Sequence, residues 1–364
     1  MTAAQLRQFS VTQPQIRDRH FELDIFNITS TKNVFNKAPE LELAPFLKSA
    51  LPQENRASLR DSVIPQLLSA IADIGKGLRG SYDVSIVGTE NAFGDEQLNV
   101  DVLAENIIRD SIAKSSAIKT ASSEEDPVEK PARAGETTQA DSSAEQYTVA
   151  FDPLDGSSII GPNWSVGTIV GIWDGVTAVG QSTEKQIASV LGVFGPRTLA
   201  IVALRAPGSK PVCFEVSLND TQKFVVARPE LRLAEPPFKT RYFAPANLRA
   251  AAENEKYMNL VTKFITDKYT LRYSGGLIPD IYHALVKGHG VYISPVTSAS
   301  KAKLRRLYEL LPVALVVECA GGQAIDPETG ARVFDTILKG CDDRAGLVCG
   351  TSEEVEKVKK ALLG

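Results

Sequence analysis

A layered α/β architecture, an α+β sandwich of helix and sheet, is what this sequence predicts, and three observations carry the prediction. Apolar residues recur at helical spacing in several stretches. Runs rich in Val, Ile and aromatic residues, broken by Gly, Pro, Asn and Asp, read as strands. The two textures interleave along both halves of the chain with no internal repeat. With 364 residues, 43% of them hydrophobic and 23% charged, the chain can bury one large core or two ordinary ones.

Residues 1–55 show no sustained period and read as an arm packed on something larger. Ile64, Leu67, Leu68, Ile71, Ile74 and Leu78 then share one helical face. Pro65 is tolerated only in a first turn, so that helix is expected to start near Ser62. A second helix is expected from about Asp101 to Ala113, burying Leu103, Ile107, Ile108 and Ile112. Residues 120–146 are rich in Ser, Glu, Ala, Thr and Pro, a composition too polar to offset its ordering entropy, which predicts a largely mobile loop. Strands are expected at 147–151, 165–173, 198–204, 212–218 and 223–227. The Pro-rich, charged stretch 229–239 is the best boundary, separating an N-terminal domain (56–236) from a C-terminal one (237–364). Beyond it come a helix at 277–287, a strand at 290–294 and a helix at 302–319 that Pro312 should kink and Gly321-Gly322 should end. Thr351 and Glu354 have the spacing of a capping box for the last helix.

Composition removes several function classes. Forty Lys and Arg against 44 Asp and Glu leave a net charge of −4, no bulk electrostatic case for a nucleic-acid partner. The longest apolar run, Leu310–Val317, is far below the roughly 20 residues a membrane span needs, so no membrane partner is expected. Four cysteines without a CxxC pair read as reduced thiols, and three histidines make a multi-histidine zinc site a poor fit. The first 20 residues hold three Arg and one Asp but no apolar core, which points to a cytoplasmic chain with a cleaved organellar leader as the alternative.

The chemistry is therefore expected from carboxylates. In Phe151-Asp-Pro-Leu-Asp-Gly-Ser-Ser158 a strand ends in two aspartates, with Pro153 stiffening a turn that brings Asp155 back beside Asp152. Two such carboxylates repel, and a hard divalent cation is their natural partner. Gly156, Ser157 and Ser158 suit a tight turn whose amides can hold phosphate. A Pro-Asp-Gly surface turn fits the same string. Asp101 and the Glu124-Glu125 pair, upstream, complete the acid set that metal-assisted phosphoryl chemistry requires.

These strings, with Lys303-Leu-Arg-Arg-Leu-Tyr-Glu309 and Ala320-Gly-Gly322, resemble the fructose-1,6-bisphosphatase family of lithium-sensitive, magnesium-dependent sugar phosphatases over roughly residues 60–364. Pro245–Arg249, Tyr269–Gly276, Thr297–Lys303 and Leu338–Arg344 look more like the branch of that family acting on a seven-carbon sugar. The resemblance implies alternating helix and sheet layers, and an N-terminal domain carrying most of the metal ligands. It assigns metal binding to Glu124, Asp152, Asp155, Glu309 and the carbonyl of Leu154, for two or more Mg²⁺ ions per subunit, with Mn²⁺ as an alternative. Asp101 and Glu125 would position and deprotonate water, and Gly156, Ser157 and Ser158 would hold the departing phosphate. Asn247, Arg272, Tyr273 and Lys303 would grip the sugar and far phosphate, with Arg272 reaching in from a neighbouring subunit of a homodimer or homotetramer. The implied reaction removes the 1-phosphate of sedoheptulose 1,7-bisphosphate; fructose 1,6-bisphosphate is the alternative. A non-catalytic sugar-phosphate sensor is disfavoured, because all six acids are present. Where the six-carbon enzymes carry two further tyrosines, this chain has Ala250 and, ten positions before Lys303, Ile293.

Overall fold

Side chains alternating across extended strands divide the first half of the chain between two cores. In the computed structural model, which describes residues 40–90, 96–140, 144–219 and 223–364, a large sheet is formed by β1 (Ile118–Ser123), β2 (Tyr147–Asp155), β3 (Val166–Asp174), β4 (Gln186–Phe194), β5 (Thr198–Leu204), β6 (Val212–Ser217) and β7 (Val225–Arg228). These strands lie in sequence order, with the two-residue strand Lys130–Pro131 outside β1. β1 and β2 run parallel, and the pairs from β2 to β7 antiparallel. Val149, Phe151, Val170 and Ile172 point to one side, Ala150, Ile169 and Trp173 to the other.

The first side is covered by α1 (Leu43–Ala50), α2 (Ile64–Gly80) and α3 (Asn99–Ala113). A smaller sheet is built from β8 (Tyr242–Pro245), β9 (Val291–Ser294), β10 (Gln323–Ile325) and β11 (Leu347–Gly350), in the order β8-β9-β11-β10, with Thr270–Leu271 outside β8. Of the remaining helices, α4 (Glu255–Thr266) and α7 (Ser352–Leu363) cover its outer face, whereas α5 (Leu277–Lys287) and α6 (Leu311–Cys319) lie between the two sheets. Helix, sheet, helix, sheet, helix is the layer order, the sandwich expected from sequence. Residues 40–364 form one compact unit. No described helix is long and apolar enough to cross a membrane.

Six expectations are corrected. The arm at 1–55 lies outside the described residues as far as residue 39, but Leu43–Ala50 is a helix that buries Leu43 and Leu47. Ile118–Ser123, placed largely in a mobile loop by composition, is a buried strand. Two of its buried hydroxyls have partners: Thr120 Oγ1 donates to the Val176 carbonyl at 2.7 Å and Ser123 Oγ to Glu105 at 2.9 Å. Helix 302–319 begins only at Arg306, because Leu304–Arg305 pairs with Arg344–Ala345. Pro312 neither kinks nor breaks it. A wide turn over Arg306–Leu310, closed by Leu311 N–H to the Arg306 carbonyl, precedes α6 and leaves Pro312 in its first turn. The same device, a wide turn at Leu59–Val63, puts Pro65 in the first turn of α2 and moves the helical start upstream of Ser62. Finally, the Thr351–Glu354 capping box does not form. Thr351 Oγ1 accepts from Gly290 N–H at 3.1 Å, and buried Glu354 turns to His289 and Tyr269. The double-faced strand β4 was not foreseen.

Close contact between β3 and α5 fixes the distance between sheet and helix. A Cβ at Gly167 would sit 2.5 Å from Ile278 Cβ. Gly167 also lies opposite Asp155 across the β2–β3 pair. Gly167→Ala is expected to overpack this joint at roughly 1–3 kcal/mol, lowering Tm by about 2–8 °C. An unchanged Tm would show that α5 rides freely on the sheet.

Candidate active site

At the end of β2 the chain does not turn back. Asp152 lies opposite Ile169 and Asp155 opposite Gly167, so one extra residue is accommodated as a bulge, and both acids stay in the strand. Thr168 Oγ1 pins the bulge by donating to the Pro153 carbonyl at 2.7 Å. This replaces the tight turn expected at Pro153.

Around the bulge the structure gathers the acids. Glu124 follows β1, and its N–H donates to the Phe151 carbonyl at 3.0 Å, which brings its side chain to Asp152. Glu309 enters from the wide turn before α6. Each carboxylate leans on a local donor. Asp152 Oδ1 accepts from Leu154 N–H at 2.9 Å, and Glu309 Oε2 from Arg305 N–H at 2.6 Å. Asp155 caps α5, its two oxygens accepting from Leu277 N–H at 3.2 Å and Ile278 N–H at 2.7 Å. Arg305, itself buried, forms an ion pair with Glu124.

Burial and mutual repulsion shape the titration of this group. Burial pushes Glu124 up to about 7, against the pull of Arg305 and with the push of Glu125. Asp152 and Glu309 rise well above the usual carboxylate range, from burial first and then from Glu124. Asp155 rises to about 6, held there by its two amide donors. Among the described residues no three acidic, His or Cys side chains already converge on a single point as metal ligands. The donor set nonetheless fits a hard divalent cation, since four crowded oxygen-only ligands are balanced, among the described residues, chiefly by the Arg305 guanidinium.

The predicted water-handling pair lies alongside. Asp101, on the first turn of α3, accepts from Leu98 N–H at 3.0 Å and faces Ser157 Oγ at 3.4 Å. Burial pushes Asp101 up to about 6, with Glu125 adding repulsion. Gln97 donates to Glu125. Gly156, at φ 101°, leads into a single helical turn, Ser157–Ile160, with Ser157 and Ser158 exposed. Ser157 Oγ also lies 3.2 Å from the Leu154 carbonyl.

The distal residues are more dispersed. Arg272 is exposed, its guanidinium 5.8 Å from the Tyr242 ring centre, and Nη1 donates to the Leu271 carbonyl at 2.7 Å. Tyr273 is half-exposed, and Lys303 sits exposed before the Leu304–Arg305 strand. Asn247 Nδ2 donates to the Pro295 carbonyl at 2.6 Å, so its amide ties down a loop in this structure. A cleft of about 1070 Å³ is lined among others by Arg79, Trp164, Arg272, Tyr273 and Asp280, on the side of the distal residues; none of Asp101, Glu124, Glu125, Asp152, Asp155 and Glu309 lines it. Five neighbours of the site went unassigned from sequence: Gln97, Arg249, Asp280, Tyr292 and Arg305. Arg249 acts electrostatically on Tyr273. Arg249 left a trace within the Pro245–Arg249 string and Arg305 within Lys303–Glu309; the inward aim of Arg305 follows from a short strand that the helical reading hid.

The raised acids tie metal-free stability to pH. Asp101 and Asp155 titrate at about 6 and Glu124 at about 7 in the folded chain, against roughly 4 when unfolded. Between those values the native state binds more protons, so stability falls as pH rises through this window. Chelator-treated protein is expected to melt higher near pH 5.5 than near pH 8, and saturating Mg²⁺ to raise Tm most near pH 8. A chelated Tm that climbs with pH over this range would contradict the crowding.

Comparison with known proteins places the chain in one family. The family model described as the N-terminal domain of fructose-1-6-bisphosphatase matches residues 67–225, and that of the C-terminal domain residues 237–363. The chloroplastic sedoheptulose-1,7-bisphosphatase of Chlamydomonas reinhardtii is 36% identical over 325 residues, covering 88% of this chain and 77% of the relative. A class 1 fructose-1,6-bisphosphatase of Syntrophotalea carbinolica is 35% identical, covering 81% and 88%. A Toxoplasma gondii crystal structure assigned as a sedoheptulose-1,7 bisphosphatase superposes with a TM-score of 0.78 at 33% identity, covering 89% of this chain and 98% of its own. Enzymes of this family use divalent metals. With both halves matched and relatives above 30% identity over most of its length, the chain belongs to the fructose-1,6-bisphosphatase family and is a sugar bisphosphatase, a phosphoric monoester hydrolase.

Proposed function

We propose that this chain hydrolyses the 1-phosphate of sedoheptulose 1,7-bisphosphate in a Mg²⁺-dependent reaction, giving sedoheptulose 7-phosphate and phosphate. The observation that carries the reading is the meeting of Glu124, Asp152, Asp155 and Glu309 beside Asp101, Glu125 and Ser157. Likeness to the Chlamydomonas and Toxoplasma proteins supports the seven-carbon substrate. The 35% identity to a class 1 fructose-1,6-bisphosphatase keeps the six-carbon bisphosphate as the second reading.

In this reading Glu124, Asp152, Asp155, Glu309 and the Leu154 carbonyl hold two or more Mg²⁺ ions, with Mn²⁺ as an alternative. Glu124 must then exchange its Arg305 partner for the ion. Bound ions supply charge neutralisation at the phosphoryl oxygens and the departing sugar oxygen. Asp101 and Glu125 orient the attacking water, and an ionised Asp101, titrating at about 6, accepts its proton near neutral pH. Ser157, Ser158 and the Gly156 amide hold the phosphate removed, while Arg272, Tyr273 and Lys303 grip the other. Asn247 acts by fixing the loop after Pro295. The chain works as a homodimer or homotetramer, a reading with which the exposure of Arg272 is consistent; its expected location is the cytoplasm, with an organelle as the alternative. Residues 56–236 supply most of the metal ligands and 237–364 the sugar contacts.

Two measurements test this. Side by side in one Mg²⁺ buffer, kcat/KM is expected to be higher for the seven-carbon than for the six-carbon bisphosphate; the reverse order selects the second reading. Asp152→Asn is expected to lower kcat by about a thousandfold or more, since a neutral amide cannot balance a divalent ion. Because the same change relieves buried repulsion, the metal-free variant is expected to melt above the parent near pH 8. More than a tenth of parental turnover would remove Asp152 from the metal site.

A further inference from the structure

The alternation of β9 shows that Ile293 is the wrong position at which to look for a lost tyrosine. Val291 and Ile293 point into the outer core with Phe243 and Tyr257, and Ile293 is fully buried there. Tyr292 points the other way, into the layer shared with Ala244, Leu277 and Ile281. It is 8% exposed. Asp280, on the first turn of α5, is also 8% exposed. Its Oδ1 accepts from Ser274 N–H at 2.8 Å, and its Oδ2 makes no well-formed hydrogen bond to any described residue, although Ser274 Oγ and Gly275 N–H lie near the carboxylate.

Both side chains border a cavity of about 20 Å³ that also touches Arg272. That is room for about one water-sized group. Burial pushes the Tyr292 phenol up, and Tyr273, Asp155 and Asp280 each add to the push, which places all four around one region. Asp280 joins this space to the large cleft, where Tyr273 lies.

We propose that Tyr292 and Asp280 form a subsite that reads a hydroxyl of the sugar chain between its two phosphates. A phenol O–H that donates beside a carboxylate oxygen that accepts matches a hydroxyl, which does both. The negative charges of Asp280 and Asp155 turn a phosphate away from the same spot. A buried carboxylate oxygen without a well-formed hydrogen bond is costly, and a substrate hydroxyl meets that need. The subsite rests on the sugar-bisphosphatase reading.

Tyr292→Phe removes one oxygen and keeps the ring, so packing is retained. The test compares kcat/KM for sedoheptulose 1,7-bisphosphate with kcat/KM for p-nitrophenyl phosphate, a monoester with no sugar hydroxyl. The ratio of the two is expected to fall about three- to tenfold in the variant, as for loss of one neutral hydrogen bond. The loss should sit mainly in the KM for the sugar bisphosphate. A ratio equal to that of the parent overturns the subsite, because a purely structural effect lowers both substrates alike. Failure of the parent itself to hydrolyse any sugar bisphosphate would overturn the functional reading, and the subsite with it.

Discussion

Four carboxyl groups buried close together, with the Arg305 guanidinium paired to one of them, set the terms for the surrounding structure. An isolated buried carboxylate is strongly disfavoured, and neighbouring like charges raise the cost. The chain offsets this locally with donors from different elements: Leu154 N–H for Asp152, the α5 amides for Asp155, Arg305 N–H for Glu309 and the Arg305 side chain for Glu124. Each of these bonds ties a separate segment to the end of β2. The acids thus act as a knot between the large sheet and the helical layer beneath it.

Backbone irregularities serve that knot. The bulge in β2 lets Asp152 and Asp155 both remain at the strand end, with Asp155 turned to α5. The wide turn over Arg306–Leu310 lets Glu309 reach back to Arg305 N–H, four residues earlier, while Pro312 follows without interrupting a helical hydrogen bond. Gly167 lets α5 approach closely enough to give its amides to Asp155. Bulge, wide turn and close-packed glycine are all costly in a regular element. Here they converge on one group of acids.

What could be read from sequence follows from these physics. Helices with one apolar face, such as α2 and α5, announce themselves by period, and the acids by their clustered strings. The sheet interior is less legible. Thr120, Ser122 and Ser123 of β1 are buried by pairing with β2, so composition alone resembles loop. Leu304 and Arg305 look helical beside the run that follows, which hid the inward aim of Arg305. The parity of β9 is a matter of one residue, and counting back from Lys303 lands on the wrong face. Period-two structure makes such a slip decisive, because every side chain changes side. Residue types were legible; the directions in which they point needed the three-dimensional fold.

Asp155 also links the two ends of the substrate site mechanically. It holds the first amides of α5, and Asp280 on that same turn holds Ser274 N–H, fixing the loop that carries Arg272 and Tyr273. The acids at the reacting end and the groups proposed for the far phosphate are therefore joined through two carboxylate–amide clamps a few residues apart. Such a joint sets the spacing between the two grips by covalent geometry and hydrogen bonds, not by flexible side chains. A charge gained or lost at Asp155 changes its hold on the α5 amides, and the loop must respond. On the proposed reading, recognition of the distal phosphate and occupancy of the acid cluster would in this way be coupled through the first turn of one helix.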